Sequence, residues 1–335
     1  MKVTVAICTW NRARLLDQTL TRLAEMTIPE GVTWEVIVVN NNSPDDTDEV
    51  LERHRDRLPL VRLFEPLQGK SHACNLAIRT SQGELVLWTD DDVLVATDWL
   101  TRYVQAAANF PNAAYFGGPV EPWYECEPPR WLKRNLEQFG KVVALVDYGP
   151  VDRELGLGEL AIGANMAFRG DVLRKYAYDV RLCRVGPELA GCEDHELTDR
   201  MRSDGRFGMW VADARVRHFI PKERTTLRFA RQWWREQARL FARRRPEEIP
   251  QGPRVPRWMW RQYWEASARE LVLRTRRGSQ WADAFFAAAW LRGLIDMSGP
   301  NSPHAAAEAS TSGVPIATPT PAVDIPREPA GAPGG

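Results

Sequence analysis

The chain has 335 residues, a formal net charge of zero and 44% hydrophobic residues, enough for one large or two modest domains with a real core. The balanced charge gives no global case for nucleic acid or membrane as a partner, although residues 215–277 concentrate 18 Lys/Arg against 6 Asp/Glu. Five scattered cysteines without a C-x-x-C pair favour a reducing compartment over a disulfide framework, the N-terminus opens on a strand rather than a signal peptide, and no run approaches the ~18 apolar residues of a spanning helix.

Residues 3–9 (VTVAICT) read as a central strand that ends in the polar turn Thr9-Trp10-Asn11-Arg12. A helix follows, with Leu15, Leu16, Thr19, Leu20 and Leu23 at helical spacing. The second strand, 34–39 (WEVIVV), stops at Asn40-Asn41-Asn42-Ser43, where Pro44-Asp45-Asp46-Thr47 has the composition of a turn and helix start. Helix 47–57, strand 60–64 and a helix opening at Gly69-Lys70-Ser71 complete the alternation. Strands alternating with helices predict a parallel, doubly wound sheet, and right-handed crossovers bring every strand's C-terminal end to one edge.

The apolar run Leu85-Val86-Leu87-Trp88 then leads through Thr89 into Asp90-Asp91-Asp92. Three adjacent carboxylates repel one another unless something neutralises them, and a hard divalent cation does so with oxygen ligands. The bland alternative, a solvated acidic turn, rarely follows so apolar a strand. Thr9, Asn11, Asn40 and Asp90 to Asp92 are therefore expected at the same ligand-binding edge.

Further along, residues 113–120 read as one strand with a Gly117-Gly118-Pro119 break, and 121–135, rich in Pro and Trp, as a surface excursion. Residues 163–169 form a strand with small residues where something approaches the backbone closely. Residues 191–196 open a helix with acids in its first turn, and 207–212 form a further strand with His218 shortly after it. Helices are predicted over 225–245, 257–277 and 280–297, with 250–256 as a linker. The Pro-, Ala- and Gly-rich segment 299–335 reads as a disordered tail.

Six stretches, in order, carry a resemblance: Ile7 to Arg12, Val38 to Ser43, Gly69 to Asn75, Asp90-Asp91-Asp92, Gly163 to Arg169, and Glu193-Asp194. Together they resemble the family 2 glycosyltransferases, inverting nucleotide-sugar enzymes with the GT-A fold, over about residues 1–220. The resemblance implies an α/β catalytic domain with a mostly parallel sheet flanked by helices over 1–220; the residues that follow read by composition and pattern as a basic, Trp-rich helical extension over 221–298. The resemblance also implies that Thr9, Asn11, Arg12, Asn40, Lys70, Asp90 and Asp91 hold the nucleotide sugar. Asp92, with His218 as a third ligand, would bind Mg2+ or Mn2+, Asp194 would be the general base, and Asn165 and Glu193 would lie on the acceptor side. Two positions depart from the family pattern: Asn40 stands where an aspartate is usual, and Cys74 where many relatives carry arginine.

Each residue also has an ordinary reading. Asp194 is also what a helix N-terminus favours, Asn165 is also a buried amide holding a loop, and His218 is also an ordinary histidine. The basic, Trp-rich region permits three readings: a helical cap packed on the catalytic domain, a surface meeting anionic lipid, or a nucleic-acid site for which nothing else in the chain speaks. The resemblance favours transfer of a sugar from a nucleotide donor to a glycan or lipid-linked hydroxyl acceptor in surface polysaccharide or glycolipid assembly. The implied setting is the cytoplasm or the inner face of the cell membrane. Competing readings are a sugar nucleotidyltransferase, which would want a glycine-rich phosphate loop after the first strand, and a degenerate domain that binds glycan or scaffolds. Acceptor choice is expected in 121–160 and 180–192.

Overall fold

The computed structural model describes residues 1–156, 158–180, 193–250 and 254–299. Most of the segment 180–192 expected to shape acceptor choice, and all but Gly299 of the expected tail, lie outside the described residues.

In chain order the elements are β1 (Lys2–Thr9), α1 (Ala13–Leu23), β2 (Thr33–Asn40), α2 (Thr47–Arg53), β3 (Leu60–Phe64), α3 (Lys70–Thr80), β4 (Leu85–Trp88), β5 (Val93–Val95) and α4 (Trp99–Asn109). Next come β6 (Tyr115–Gly117), β7 (Val120–Tyr124), α5 (Arg130–Lys133), α6 (Leu136–Phe139), β8 (Arg153–Glu154), β9 (Met166–Arg169), α7 (Gly170–Leu173) and α8 (Glu193–Ser203). The chain then forms β10 (Gly208–Trp210), β11 (Val216–Ile220), α9 (Leu227–Arg244), α10 (Arg257–Leu273) and α11 (Ser279–Asp296).

Eight strands form one sheet in the order β3-β2-β1-β4-β9-β6-β10-β8. The β3-β2-β1-β4 half is parallel, β9 runs against both β4 and β6, and β10 pairs parallel with β6. The alternation along β1 builds a core on each face. Val3, Val5 and Ile7 pack with Leu16, Leu20 and Leu23 of α1, while Ala6 on the other face meets Ala73 and Ala77 of α3. Fully burying each such leucine or valine is worth about 1.5–3 kcal/mol.

The expected single strand over 113–120 divides in two. β6 ends at Gly117 in the large sheet, and β7 begins at Val120 in a second sheet of order β5-β11-β7. The chain crosses between them at Gly118, where a Cβ would lie 2.4 Å from the Ala214 carbonyl oxygen and 2.7 Å from Asn165 Nδ2. The second sheet is decisive for the site. His218 in β11 pairs with Val93 in β5, and the Phe219 N–H donates to the Asp92 carbonyl at 2.9 Å.

The expected surface excursion over 121–135 is also corrected. After β7 it enters a core in which Trp131 and Phe139 pack on Trp281 and Phe285 of α11, with ring centroids 5.0–6.1 Å apart. Asn135 is 1% exposed and donates to the Arg277 carbonyl at 2.9 Å, tying this segment to the start of α11. Proline and tryptophan there serve a packed interface rather than a solvated loop.

Candidate active site

The C-terminal ends of β1, β2 and β4 lie side by side in register. Thr9 pairs with Asn40, and Ala6 pairs with Trp88 just before the acidic triplet. Asn11 and Asn42 both adopt left-handed backbone, with φ of 53° and 60°, a conformation asparagine tolerates better than most residues. Their two loops are joined by the Asn11 N–H donating to Ser43 Oγ at 3.0 Å.

The three aspartates have different surroundings. Asp90 Oδ1 accepts from Lys70 Nζ at 2.9 Å. Burial pushes the Asp90 carboxyl up, but the charges of Lys70, His218 and Arg12 outweigh it and hold the group at about 2. Asp91 is 4% exposed and turned inward: Thr9 Oγ1 donates to it at 2.8 Å and Arg12 Nη1 at 2.9 Å, while Thr19 Oγ1 holds its carbonyl. Burial dominates there and, with its acidic neighbours, pushes the carboxyl up to about 6 against the pull of Arg12. Arg12 Nη1 also donates to Asp92 Oδ2 at 2.8 Å, and Asp91 above all holds the guanidinium firmly charged. Asp91 was expected to contact the nucleotide; its carboxylate is instead taken up by Thr9 and Arg12.

Asp92 Oδ1 is buried and has no hydrogen-bond partner. It stands 3.5 Å from His218 Nε2, and Asp90, Asp92 and His218 each offer a ligand atom within 4.8 Å of the others. His218 Nδ1 lies 2.9 Å from the Phe219 carbonyl. A carbonyl only accepts, so Nδ1 carries a proton there, and Nε2 is the ring atom turned toward Asp92. A buried, orphaned carboxylate oxygen facing an imidazole nitrogen, with a second carboxylate beside them, is a donor set that a divalent cation would satisfy.

Asp194, at the start of α8, accepts from the Gly163 N–H at 2.9 Å and from the Tyr178 hydroxyl at 3.3 Å. Gly163 leaves room for this. A Cβ there would lie 2.7 Å from Asp194 Oδ2 and 3.1 Å from Lys70 Nζ, so the carboxylate, the ammonium and, through Lys70, Asp90 form one neighbourhood. Glu193 is the first residue of α8, and its side chain lies outside what is described.

Other expected site residues have internal partners. Asn40 is 3% exposed; its Oδ1 accepts from the Ser43 N–H at 2.9 Å and its Nδ2 donates to Asp48 at 3.1 Å. Asn165 requires a correction. It is fully buried, its Oδ1 accepts from Trp99 Nε1 and the Tyr103 hydroxyl, and its Nδ2 donates to the Pro119 and Ala214 carbonyls. Those four bonds exhaust the amide, so Asn165 fixes the crossing between the two sheets and does not meet an acceptor. Cys74, at the family's arginine position, places its thiol 3.7 Å from Cys8 Sγ; that contact and burial push the thiol up.

Several supporting residues carry no sequence signal beyond their neighbours. Asn41 accepts from the Gly69 N–H and donates to the Glu65 and Leu67 carbonyls, latching the loop before α3 to the end of β2. A cleft of about 330 Å³ reaches Asp92 and is walled by Arg12, Leu15, Phe219, Phe229 and Trp233, so α9 contributes to the surroundings of the site.

Comparison with known proteins agrees with this geometry. The family described as "Glycosyl transferase family 2" matches residues 4–176. The chain is 33% identical to the succinoglycan biosynthesis protein ExoM of Rhizobium meliloti (strain 1021) over 231 residues, 68% of this chain and 70% of that protein. It is 24% identical to the glucosyl-dolichyl phosphate glucuronosyltransferase of Haloferax volcanii over 235 residues, 67% of this chain and 71% of that protein. Among solved structures it resembles the mannosyltransferase PcManGT from Pyrobaculum calidifontis, in complex with GDP-Man and Mn2+. There the TM-score is 0.52 at 20% identity, covering 93% of this chain and 80% of that one. Staphylococcus aureus TarS 1-349 in complex with UDP-GlcNAc gives a TM-score of 0.50 at 16% identity, covering 88% of this chain and 91% of that one.

Proposed function

The chain belongs to the family 2 glycosyltransferases and has their GT-A fold, and from that premise we propose that it is a metal-dependent, inverting transferase. It would move a sugar from a nucleoside diphosphate donor to a hydroxyl of a glycan or lipid-linked acceptor in surface polysaccharide or glycolipid assembly. The observation that carries this reading is the convergence of Asp90, Asp92 and His218 at the sheet edge, with Lys70 linking Asp90 to the neighbourhood of Asp194.

The donor's nucleoside would lie along the loops carrying Thr9, Asn11 and Asn40, with its diphosphate toward the acidic triplet. Asp92 and His218, with Asp90 beside them, would hold Mg2+ or Mn2+, whose chemistry is to neutralise charge on the departing diphosphate. Lys70 and Arg12 add positive charge on the same side. Asp194 removes the proton of the acceptor hydroxyl as that oxygen bonds to C1 of the sugar. The bond from C1 to the phosphate oxygen breaks on the opposite face, the electron pair leaves with the diphosphate, and the anomeric centre inverts. Gly163 N–H and Tyr178 hold the Asp194 carboxylate for this task.

Relatives that bind GDP-Man or UDP-GlcNAc give the donor class its range, and the described residues contain no helix long and apolar enough to cross a membrane. A lipid-linked acceptor would be met by peripheral placement at a membrane surface. The test is a thermal-shift panel of UDP, GDP, CDP and dTDP with Mn2+, Mg2+ or EDTA, on wild type and Asp92→Ala. A ligand that binds only the folded state raises apparent stability by mass action. A metal-dependent shift with one nucleotide, absent in the variant, supports the reading; a folded sample unmoved by every nucleotide overturns it.

A further inference from the structure

α10 has two apolar faces where a helix packed at the edge of a bundle needs one. Met259 and Ala266 are buried toward the bundle, and Arg292 of α11 lies over the Trp260 ring at 5.5 Å. On the outer side, at spacings of three and four, come Trp258, Arg261, Trp264, Ala268, Leu271 and Val272. Trp258 is 51% exposed, Trp264 62%, Leu271 60% and Val272 77%. Other exposed large apolar side chains among the described residues, such as Trp10, Phe64 and Val151, stand well apart in the chain. Scattered single exposures are normal in a soluble protein; a stripe of four is a surface that something covers.

The charge around this stripe is one-sided. Residues 257–277 contain six arginines and two glutamates. Glu270 is turned inward to Arg231 of α9, while Glu265 pairs with Arg261 at the surface. Arg257, Arg269, Arg274, Arg276 and Arg277 are exposed around the stripe and at its C-terminal end.

We propose that this face of α10 docks on an anionic lipid bilayer, an inference that rests on the proposed peripheral placement of the transferase and assigns it to one surface. Trp258 and Trp264 would lie at the headgroup level, Leu271 and Val272 would enter the acyl boundary, and the arginines would meet lipid phosphates. Charge favours this occupant over a second copy of the chain, because a two-fold contact would set these arginines against one another. It is favoured over nucleic acid because Leu271 and Val272 have no stacking surface to offer a base.

The test is co-sedimentation of the full chain with vesicles of phosphatidylcholine alone and of equal parts phosphatidylcholine and phosphatidylglycerol. Binding is expected to the anionic vesicles only and to fall with salt. The combined variant Trp258→Ser/Trp264→Ser should abolish it, and each arginine changed to glutamine at 257, 274 or 276 should lower partitioning about five-fold. These side chains are exposed, so both sets of variants should keep the wild-type circular dichroism and the nucleotide thermal shift. That shift reports the transfer site separately: its loss with vesicle binding intact would count against the transferase reading and leave the docking surface standing. Failure to sediment with anionic vesicles overturns the docking surface. So does sedimentation unaffected by the tryptophan variant, a dimer in solution that the same variant dissolves, or binding to a single-stranded oligonucleotide in place of vesicles.

Discussion

Asp92 Oδ1 and His218 Nε2 face each other at 3.5 Å, brought together because the strand that follows the acidic triplet pairs with the strand that carries the histidine. The carboxylate oxygen has no hydrogen-bond partner and the ring is oriented by a backbone carbonyl. His218→Ala should therefore weaken Mn2+-dependent nucleotide binding by about 10- to 100-fold, the range found when support for a metal site is removed. Calorimetric titration of the nucleotide with and without Mn2+ checks this; equal affinities for variant and wild type would remove His218 from the site.

Arg12 bridges Asp91 and Asp92 through one nitrogen. A cation at Asp92 must compete with that guanidinium. Arg12→Gln should bind Mn2+ alone several-fold more tightly than wild type, yet bind the nucleotide diphosphate less well, since a positive charge beside it is gone. Electron paramagnetic resonance of free Mn2+ reads the first effect and thermal shift the second. A variant weaker toward both ligands would contradict the competition.

Asp194→Asn preserves the shape of the side chain and its acceptance from the Gly163 N–H while removing the charge. Nucleotide binding should survive and transfer should fall by about 10²–10⁴-fold, the usual contribution of a general base. Single-turnover transfer with a saturating acceptor separates the two effects, and wild-type turnover would end the assignment.

Asn165→Ala would strand the Trp99 N–H, the Tyr103 hydroxyl and two carbonyls in a dry interior. A loss of roughly 3 kcal/mol in urea unfolding is expected, since each buried polar group left unpaired costs about 1–3 kcal/mol and such losses do not add fully. An acceptor-binding role would instead leave stability nearly unchanged and raise the acceptor KM.

The difference between Asn165 and Asp194 shows what the sequence discloses. The parallel half of the sheet was readable because each strand is an apolar run ending in polar turn residues, so Thr9, Asn40 and Asp90 to Asp92 fell at one edge by topology alone. Whether a polar side chain there faces the cleft or the interior depends on partners remote in the chain. Asn165 is consumed by residues from α4, β10–β11 and the β6–β7 crossing, none of which its own neighbourhood announces. The second sheet was hidden for a related reason: β5 has three residues, and β7 contains Pro122, which reads as a breaker until β11 supplies its partner strand.

In the helical region Asp296 joins Arg235 at 2.6 Å, Arg239 at 2.7 Å and Arg292 at 3.1 Å. Burial pushes this carboxyl up, but the arginines outweigh it and hold it below the ordinary carboxylate range. A carboxyl depressed in the folded state stabilises above its unfolded value, about 3.9, and that contribution is lost as pH falls toward the folded value. Asp296→Asn should melt a few degrees below wild type at pH 7, a modest gap because water screens the cluster in part. The two curves should converge below pH 4. A gap that stays constant down to acid pH would assign the effect to packing rather than charge.

The match to the family description ends at residue 176, yet strands from both sides of that point share both sheets. β11 lies between β5 and β7, delivers His218 to Asp92, and ends at Ile220 inside the core that Trp281 and Phe285 share with Trp131 and Phe139. A chimaera spliced at that boundary would take its carboxylates from one parent and its imidazole from the other, across a strand that neither parent had shaped to fit. Exchange of an intact carboxylate–imidazole set among such chains would then require the small sheet and its helical buttress to travel together, as one cassette.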